Sequence, residues 1–249
     1  MTDRDVIVSG SFNTRDLGGY RTKHGKLAWR KTFRSGNMCK VDQTGILALK
    51  QLGVTRIIDL RSQKERDAEP DPIRAGDNIE LISIPLFDDL NPNQLPGGNA
   101  LLDLYLDALK THGMSFIEVL RKIGECRDAV LFHCTAGKDR TGLIAALLLS
   151  LSGVARADII NDYAMTADRL GPLLMELEKT VGAFNLNKAD FMPMLESNPI
   201  TMSKTLDWLD SNFGGAEEYV RSHGFTNADL AQIRSRWCLT DPEMVMEDV

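Results

Sequence analysis

The stretch AVLFHCTAGKDRTGLIAALLLS, residues 129–150, holds a short apolar run, a polar loop and a longer apolar run. The first run, 129–134, has the length and composition of a buried strand, and the second, from Arg140 to Leu151, is long enough for a buried helix. Gly137 turns the chain between them, because it lacks the Cβ that makes other residues resist such a bend. Cys134 therefore stands in front of a helix N-terminus, where unpaired backbone N–H groups and the positive end of the helix dipole converge.

Two consequences follow from that placement. An anion such as phosphate is held by the backbone donors, and the cysteine is favoured as its thiolate. Arg140, six residues after Cys134, folds back over the same hollow and offers a planar fork to two phosphate oxygens, which a lysine cannot do. Thr141 is placed to donate its hydroxyl to the sulfur, and Gly142 to let the first helical turn pack closely against the sheet. The chemistry implied is in-line attack of the Cys134 thiolate on a phosphate monoester, giving a cysteinyl-phosphate that water hydrolyses. It calls for neither metal nor cofactor. A lone cysteine ending a strand is more often a small core residue. Here His133 before it, Gly137 inside the loop and Thr141 after the arginine favour the phosphate site. The loop is not a Walker A motif, because Gly137-Lys138 is followed by Asp139 and the earlier glycine is missing.

The rest of the chain sets bounds on that reading. Its 249 residues fit one large domain, 1–249, with 43% hydrophobic and 26% charged residues. Lys and Arg number 29 against 35 Asp and Glu, a net charge of -6, so there is no broad footprint for nucleic acid and any anion site is local. Cys39, Cys126, Cys134 and Cys238 show no CxxC pair and no zinc-type spacing with histidine, which argues against a metal site or a disulfide framework. They read as thiols in a reducing compartment. MTDRDVIVSGSF is no Sec-type signal peptide, and the longest apolar run, around 143–151, is too short to span a bilayer. A soluble, cytoplasmic monomer is the expectation, although export as an effector through a specialised apparatus leaves no readable signal.

Along the chain, residues 10–35 predict an N-terminal hairpin or two short strands. Asp42 is placed to cap a helix running to about Leu52, ended by Gly53. VTRIIDL at 54–60 and IELISIPL at 79–86 predict strands, and helical patterns cover 99–110, 114–123, 140–151 and 156 to about 170. Thr226 and Asp229 form a capping-box pattern opening a helix through Trp237. The expected class is α/β, a mixed, largely parallel central sheet flanked by helices with a helical C-terminal part. Residues 171–200 read as either an inserted helical lid or an ordinary helical flank.

HCTAGKDRTG at 133–142 resembles the signature loop of the cysteine-dependent protein tyrosine phosphatases. Its Lys138-Asp139 pair is similar to the atypical bacterial group that also acts on phosphoserine, phosphothreonine or phosphoinositides. NTRDLGGY at 13–20, FRSG at 33–36 and IIDLRSQKE at 57–65 match that group too, and the run from Leu206 to Trp237, including EEYVRSHGFT, is weakly similar to it. The resemblance implies that Cys134 is the nucleophile, that Arg140 binds phosphate, and that the backbone of Thr135, Ala136, Gly137, Lys138, Asp139 and Arg140 forms the cradle. It implies that His133 orients and tunes the cysteine, and that Lys138 faces a phosphate-rich substrate, against the plainer reading of a solvated surface lysine. The substrate expected is a phosphorylated protein or a phosphoinositide.

The general acid is less defined, because the sequence has no WPD tripeptide. A carboxyl must still protonate the leaving oxygen. Asp139, beside Arg140, is the first candidate, and Asp88 and Asp89, after the second strand, are its rivals. Asp59, Arg61, Arg15 and Asp16 are placed either to brace the loop or to tie the N-terminal hairpin to the sheet. Tyr163 is expected beneath the site, out of contact with substrate. Two other classes compete: a phosphate-binding module without turnover, and a sulfur-transfer loop, which the Lys-Asp-Arg-Thr run disfavours.

Overall fold

A computed structural model describes residues 4–23, 25–87, 100–175 and 196–240. In the N-terminal part, β1 (Arg15–Asp16), β2 (Arg21–Thr22), β3 (Gly25–Leu27) and β4 (Thr32–Ser35) are separated by tight turns. Helix α1 (Gln43–Gln51) follows, with the Asp42 side chain accepting the Gly45 N–H at 2.8 Å as expected of its cap. Then come β5 (Val54–Asp59), α2 (Gln63–Ala68), β6 (Glu80–Ser83), α3 (Ala100–Thr111), α4 (Gly113–Glu125) and β7 (Ala129–His133). The chain continues through α5 (Asp139–Leu151), α6 (Arg156–Ala164), α7 (Pro199–Phe213), α8 (Ala216–Ser222), α9 (Asn227–Trp237) and β8 (Cys238–Thr240).

The main sheet has the order β1-β4-β7-β5-β6 and is parallel throughout except at the β1/β4 edge. Strand β7 lies at its centre. Alternate residues supply opposite faces: Val130 and Phe132 enter the larger core, while Ala129 and Leu131 enter a smaller one with Val41, Ile46 and Leu49 around α1. A strand covered on both faces is apolar throughout, which is why 129–132 shows no polar alternation. Helix α5 is buried along nearly its whole length and packs against α4, α6, α8 and α9. An apolar run without an amphipathic period is what such a central helix needs.

The N-terminal strands divide between two sheets. β1 joins β4 in the main sheet, whereas β2 and β3 form a hairpin completed by β8, which pairs antiparallel to β3 and ties residues 238–240 to the N-terminal region. The expected capping box is present in α9. The helix expected from 156 to about 170 ends at Ala164 and is followed by a 3-10 turn, Ala167–Arg169. Residues 176–195, most of the expected lid or flank, lie outside the described residues. Among the described residues no helix is long and apolar enough to cross a membrane.

Candidate active site

The register of the sheet aligns Ser35 of β4 and Asp59 of β5 with His133 of β7. The loop 134–138 therefore leaves the sheet at the C-terminal end of its central strands, where open α/β sheets gather ligands. Three neighbours tie its carbonyls outward. The Asn37 N–H donates to Thr135 O at 2.9 Å. Asn13 Nδ2 donates to Ala136 O at 3.1 Å and to Gly137 O at 3.0 Å, and Arg34 Nη2 donates to Gly137 O at 2.8 Å. In a trans peptide the N–H points opposite to the C=O, so the N–H groups of 136, 137 and 138 turn into the hollow. The N-cap residue Lys138 makes no side-chain cap to α5, and among the described residues the opening N–H groups of that helix are left to the same space.

Gly137 is needed twice over. Its φ is +66°, and a Cβ would lie 2.5 Å from Ser35 O and 2.6 Å from the Gly36 nitrogen. The loop thus sits directly on the FRSG turn, and NTRD and FRSG are the braces of the cradle. Behind them Asp162 of α6 bridges two buried arginines. Arg15 Nε is 3.0 Å from its Oδ1, and Arg34 Nη1 pairs with its Oδ2. Burial alone would raise the Asp162 carboxyl, but the two guanidinium groups hold it down at about 2.

On the other side of the loop His133 is fully buried. Its Nε2 lies 3.0 Å from Asp71 Oδ2, and its Nδ1 is 3.4 Å from the Cys134 carbonyl oxygen. Burial acts to raise the Asp71 carboxyl, and the neighbouring His133 and Arg61 outweigh it, leaving the group below its ordinary value. Ligand atoms of Asp59, Asp71 and His133 lie within 4.8 Å of one another, a spacing that could hold a metal ion. Arg61 already fills that role: its Nη2 is 2.7 Å from Asp59 Oδ2 and 2.8 Å from Asp71 Oδ1. Asp59 and Arg61 thus brace the loop through His133.

Cys134 is buried at the base of the loop, and the four cysteines are all free thiols. Arg140, in the first turn of α5, is held by a residue that the sequence reading passes over. Its Nη1 and Nη2 donate to Glu65 Oε2 and Oε1 at 2.7 and 2.8 Å, and Thr135 Oγ1 donates to Glu65 Oε1 at 2.5 Å. Burial works against the Glu65 charge, yet these donors bring its carboxyl down to about 2. A guanidinium carries five N–H donors, so a carboxylate on one edge fixes its plane without exhausting it. Glu65 reaches this place because it is also the third residue of α2, where it closes a capping box with Ser62. That S-x-x-E pattern in SQKE is the one local sign of it.

Lys138 is not a solvated surface residue. It is 1% exposed, with Nζ 3.3 Å from Asp139 Oδ1 and 3.4 Å from the Glu196 carbonyl oxygen. The Asp139 carboxylate, 14% exposed, also accepts the Tyr105 hydroxyl at 2.5 Å. The rivals Asp88 and Asp89 lie outside the described residues. Thr141 Oγ1 is buried and hydrogen-bonds to no described protein group, the sulfur of Cys134 included. A Cβ at Gly142 would come within 3.1 Å of the Tyr163 ring of α6 and 3.8 Å of Arg34 Nη2 of β4. Tyr163 is buried, with its hydroxyl 2.8 Å from that of Tyr105.

The arrangement combines a buried thiol, a cradle of inward N–H groups, a fixed guanidinium and a nearby carboxyl, with the means to bind a tetrahedral dianion and attack it in line. Comparison with known proteins agrees. Residues 6–239 match the tyrosine phosphatase family. A tyrosine-protein phosphatase of Nostoc commune is 32% identical over 84% of this chain and 74% of its own length. The Triple specificity protein phosphatase PtpB of Mycobacterium tuberculosis is 25% identical over 91% of this chain and 96% of its own. Among solved structures, TpbA of P. aeruginosa in complex with pTyr is 17% identical, covering 55% of this chain and 70% of that one, with a TM-score of 0.34. The match over residues 6–239 shows that the chain belongs to the tyrosine phosphatase family.

Proposed function

We propose that this chain hydrolyses phosphotyrosine through a cysteinyl-phosphate on Cys134, and that its reach extends to phosphoserine, phosphothreonine and phosphoinositides. The observation that carries the reading is the set of outward-tied carbonyls at Thr135, Ala136 and Gly137. It prepares an oxyanion cradle around Cys134 before any substrate arrives, so little reorganisation is left for the reaction itself.

In the first step the Cys134 thiolate attacks phosphorus, the P–O bond to the leaving group breaks, and protonated Asp139 gives its proton to the departing oxygen. The inward N–H groups and the Arg140 fork hold the three non-bridging oxygens as charge redistributes. In the second step a water attacks the phosphocysteine, Asp139 takes its proton, and the thiolate leaves with phosphate. His133, held by Asp71, keeps the Cys134 carbonyl and hence the nucleophile in place. The broader substrate range rests on the resemblance of HCTAGKDRTG and on a relative named for triple specificity.

The test is phosphate release from a phosphotyrosine peptide, a phosphoserine peptide and a panel of phosphoinositides, in reductant and EDTA, by the wild type and Cys134→Ser in parallel. Release by the wild type alone, with phosphotyrosine among the substrates, is expected. Comparable release by Cys134→Ser would overturn the mechanism. Ligand binding without turnover by the wild type would reduce the site to a phosphate receptor.

A further inference from the structure

We propose that Tyr105, backed by Tyr163, is a positioning residue that fixes the Asp139 carboxyl for proton transfer to and from the reacting oxygens. The inference rests on the general-acid role of Asp139 proposed above.

Tyr105 of α3 and Tyr163 of α6 are both buried, and their hydroxyl oxygens are 2.8 Å apart. A phenol has one proton to give. The Tyr105 proton goes to Asp139 Oδ1 at 2.5 Å, so the bond between the two phenols runs the other way, with Tyr163 donating to Tyr105. The result is a one-directional chain, Tyr163 to Tyr105 to Asp139. The rings meet edge to face at 89°, with centroids 6.2 Å apart, which holds the chain rigid. Burial, reinforced by the Asp139 charge, raises both phenols far above their ordinary range. They therefore remain donors across the working pH.

The chain and Lys138 converge on the same oxygen, since Lys138 Nζ is 3.3 Å from Oδ1. Oδ1 is thereby committed as an acceptor, and exchange of the catalytic proton falls to Oδ2. This division suits both half-reactions. A protonated carboxyl carrying its proton on Oδ2 keeps Oδ1 as a carbonyl-type acceptor, and a carboxylate does the same. The side chain need not turn between acting as acid and acting as base. Without the phenolic donor, a partly exposed carboxyl is free to rotate about its terminal torsion, and its time in the productive pose falls.

The test compares Tyr105→Phe, which keeps the ring, with the wild type on phenyl phosphate and on dinitrophenyl phosphate, whose leaving group departs without a proton. A loss in kcat/KM of about tenfold on phenyl phosphate is expected, roughly the worth of one buried hydrogen bond in the first chemical step. On dinitrophenyl phosphate kcat/KM should change less than about twofold, the leaving group needing no acid and the later attack of water on the intermediate lying outside this quantity. Tyr163→Phe should show the same selectivity with a smaller loss, and remains informative if Tyr105→Phe folds poorly. Adding Tyr105→Phe to Asp139→Asn should cost nothing further. An equal loss on both substrates, or none on either, in both tyrosine variants would overturn the positioning role. Asp139→Asn alone separates the two ideas. If it is selective for phenyl phosphate while the tyrosine variants are not, only the positioning proposal falls; if it shows no selectivity, the acid role falls and takes the proposal with it.

Discussion

Replacing Glu65 by glutamine keeps the shape of the side chain that holds Arg140 and removes its charge. The amide retains one acceptor and turns an NH2 group toward a guanidinium nitrogen, so one of the two bonds at 2.7 and 2.8 Å is lost. The Glu65 carboxyl sits at about 2 against an ordinary value of 4.5, which at 1.36 kcal/mol per unit corresponds to about 3 kcal/mol. The side chain is 25% exposed, and solvent screening brings a working figure to about 2 kcal/mol. Because the folded-state value is depressed, this stability is fully present above pH 4.5 and lost as pH falls toward 2. Urea melts of wild type and Glu65→Gln should therefore differ by about 2 kcal/mol at neutral pH, with the gap closing below pH 4.5. If the lost orientation of Arg140 appears fully in the transition state, kcat/KM falls by on the order of 30-fold. A gap below about 0.5 kcal/mol that is flat with pH, the worth of an exposed pair, together with unchanged kinetics, would refute the account of Glu65.

Gly137→Ala places a Cβ 2.5 Å from the Ser35 carbonyl oxygen at a φ of +66°; a stability loss of about 1–3 kcal/mol in urea, with a fall in kcat/KM, is expected. Asp162→Asn leaves Arg15 and Arg34 buried without their counter-charge, and thermal and urea denaturation should report a loss of about 3–5 kcal/mol. Asp71→Asn removes the carboxylate partner of His133 Nε2; the pH dependence of Cys134 alkylation by iodoacetate should shift relative to wild type if His133 tunes the thiol.

The β7–α5 unit was legible because everything that defines it is local: an apolar run of strand length, a glycine loop, and an apolar run of helix length. Helix α2 was not, since none of QKERDA is buried and a helix without an apolar face has no periodicity to read. Strand β8 is three residues long and exists through its pairing with β3, over 200 positions earlier in the chain. The missed site residues share that cause. Glu65 meets Arg140 across 75 positions, and Asp162 meets Arg15 across 147. No local pattern marks such partners, because the fold alone brings them together. Of the two readings of Lys138, the solvated surface lysine is the one that fails, because its Nζ lies against Asp139 and a backbone carbonyl. Cys134, Arg140 and the expected bend at Gly137 were legible because one short loop carries nucleophile, clamp and turn together.

The central claim is that Cys134 carries the phosphoryl group during turnover. Rapid acid quench of the reaction with a phosphotyrosine peptide, followed by mass spectrometry of the digest, tests it directly. The account predicts one phosphoryl group on the peptide containing Cys134 in the wild type and none in Cys134→Ser. Sustained phosphate release with Cys134 never modified would contradict it.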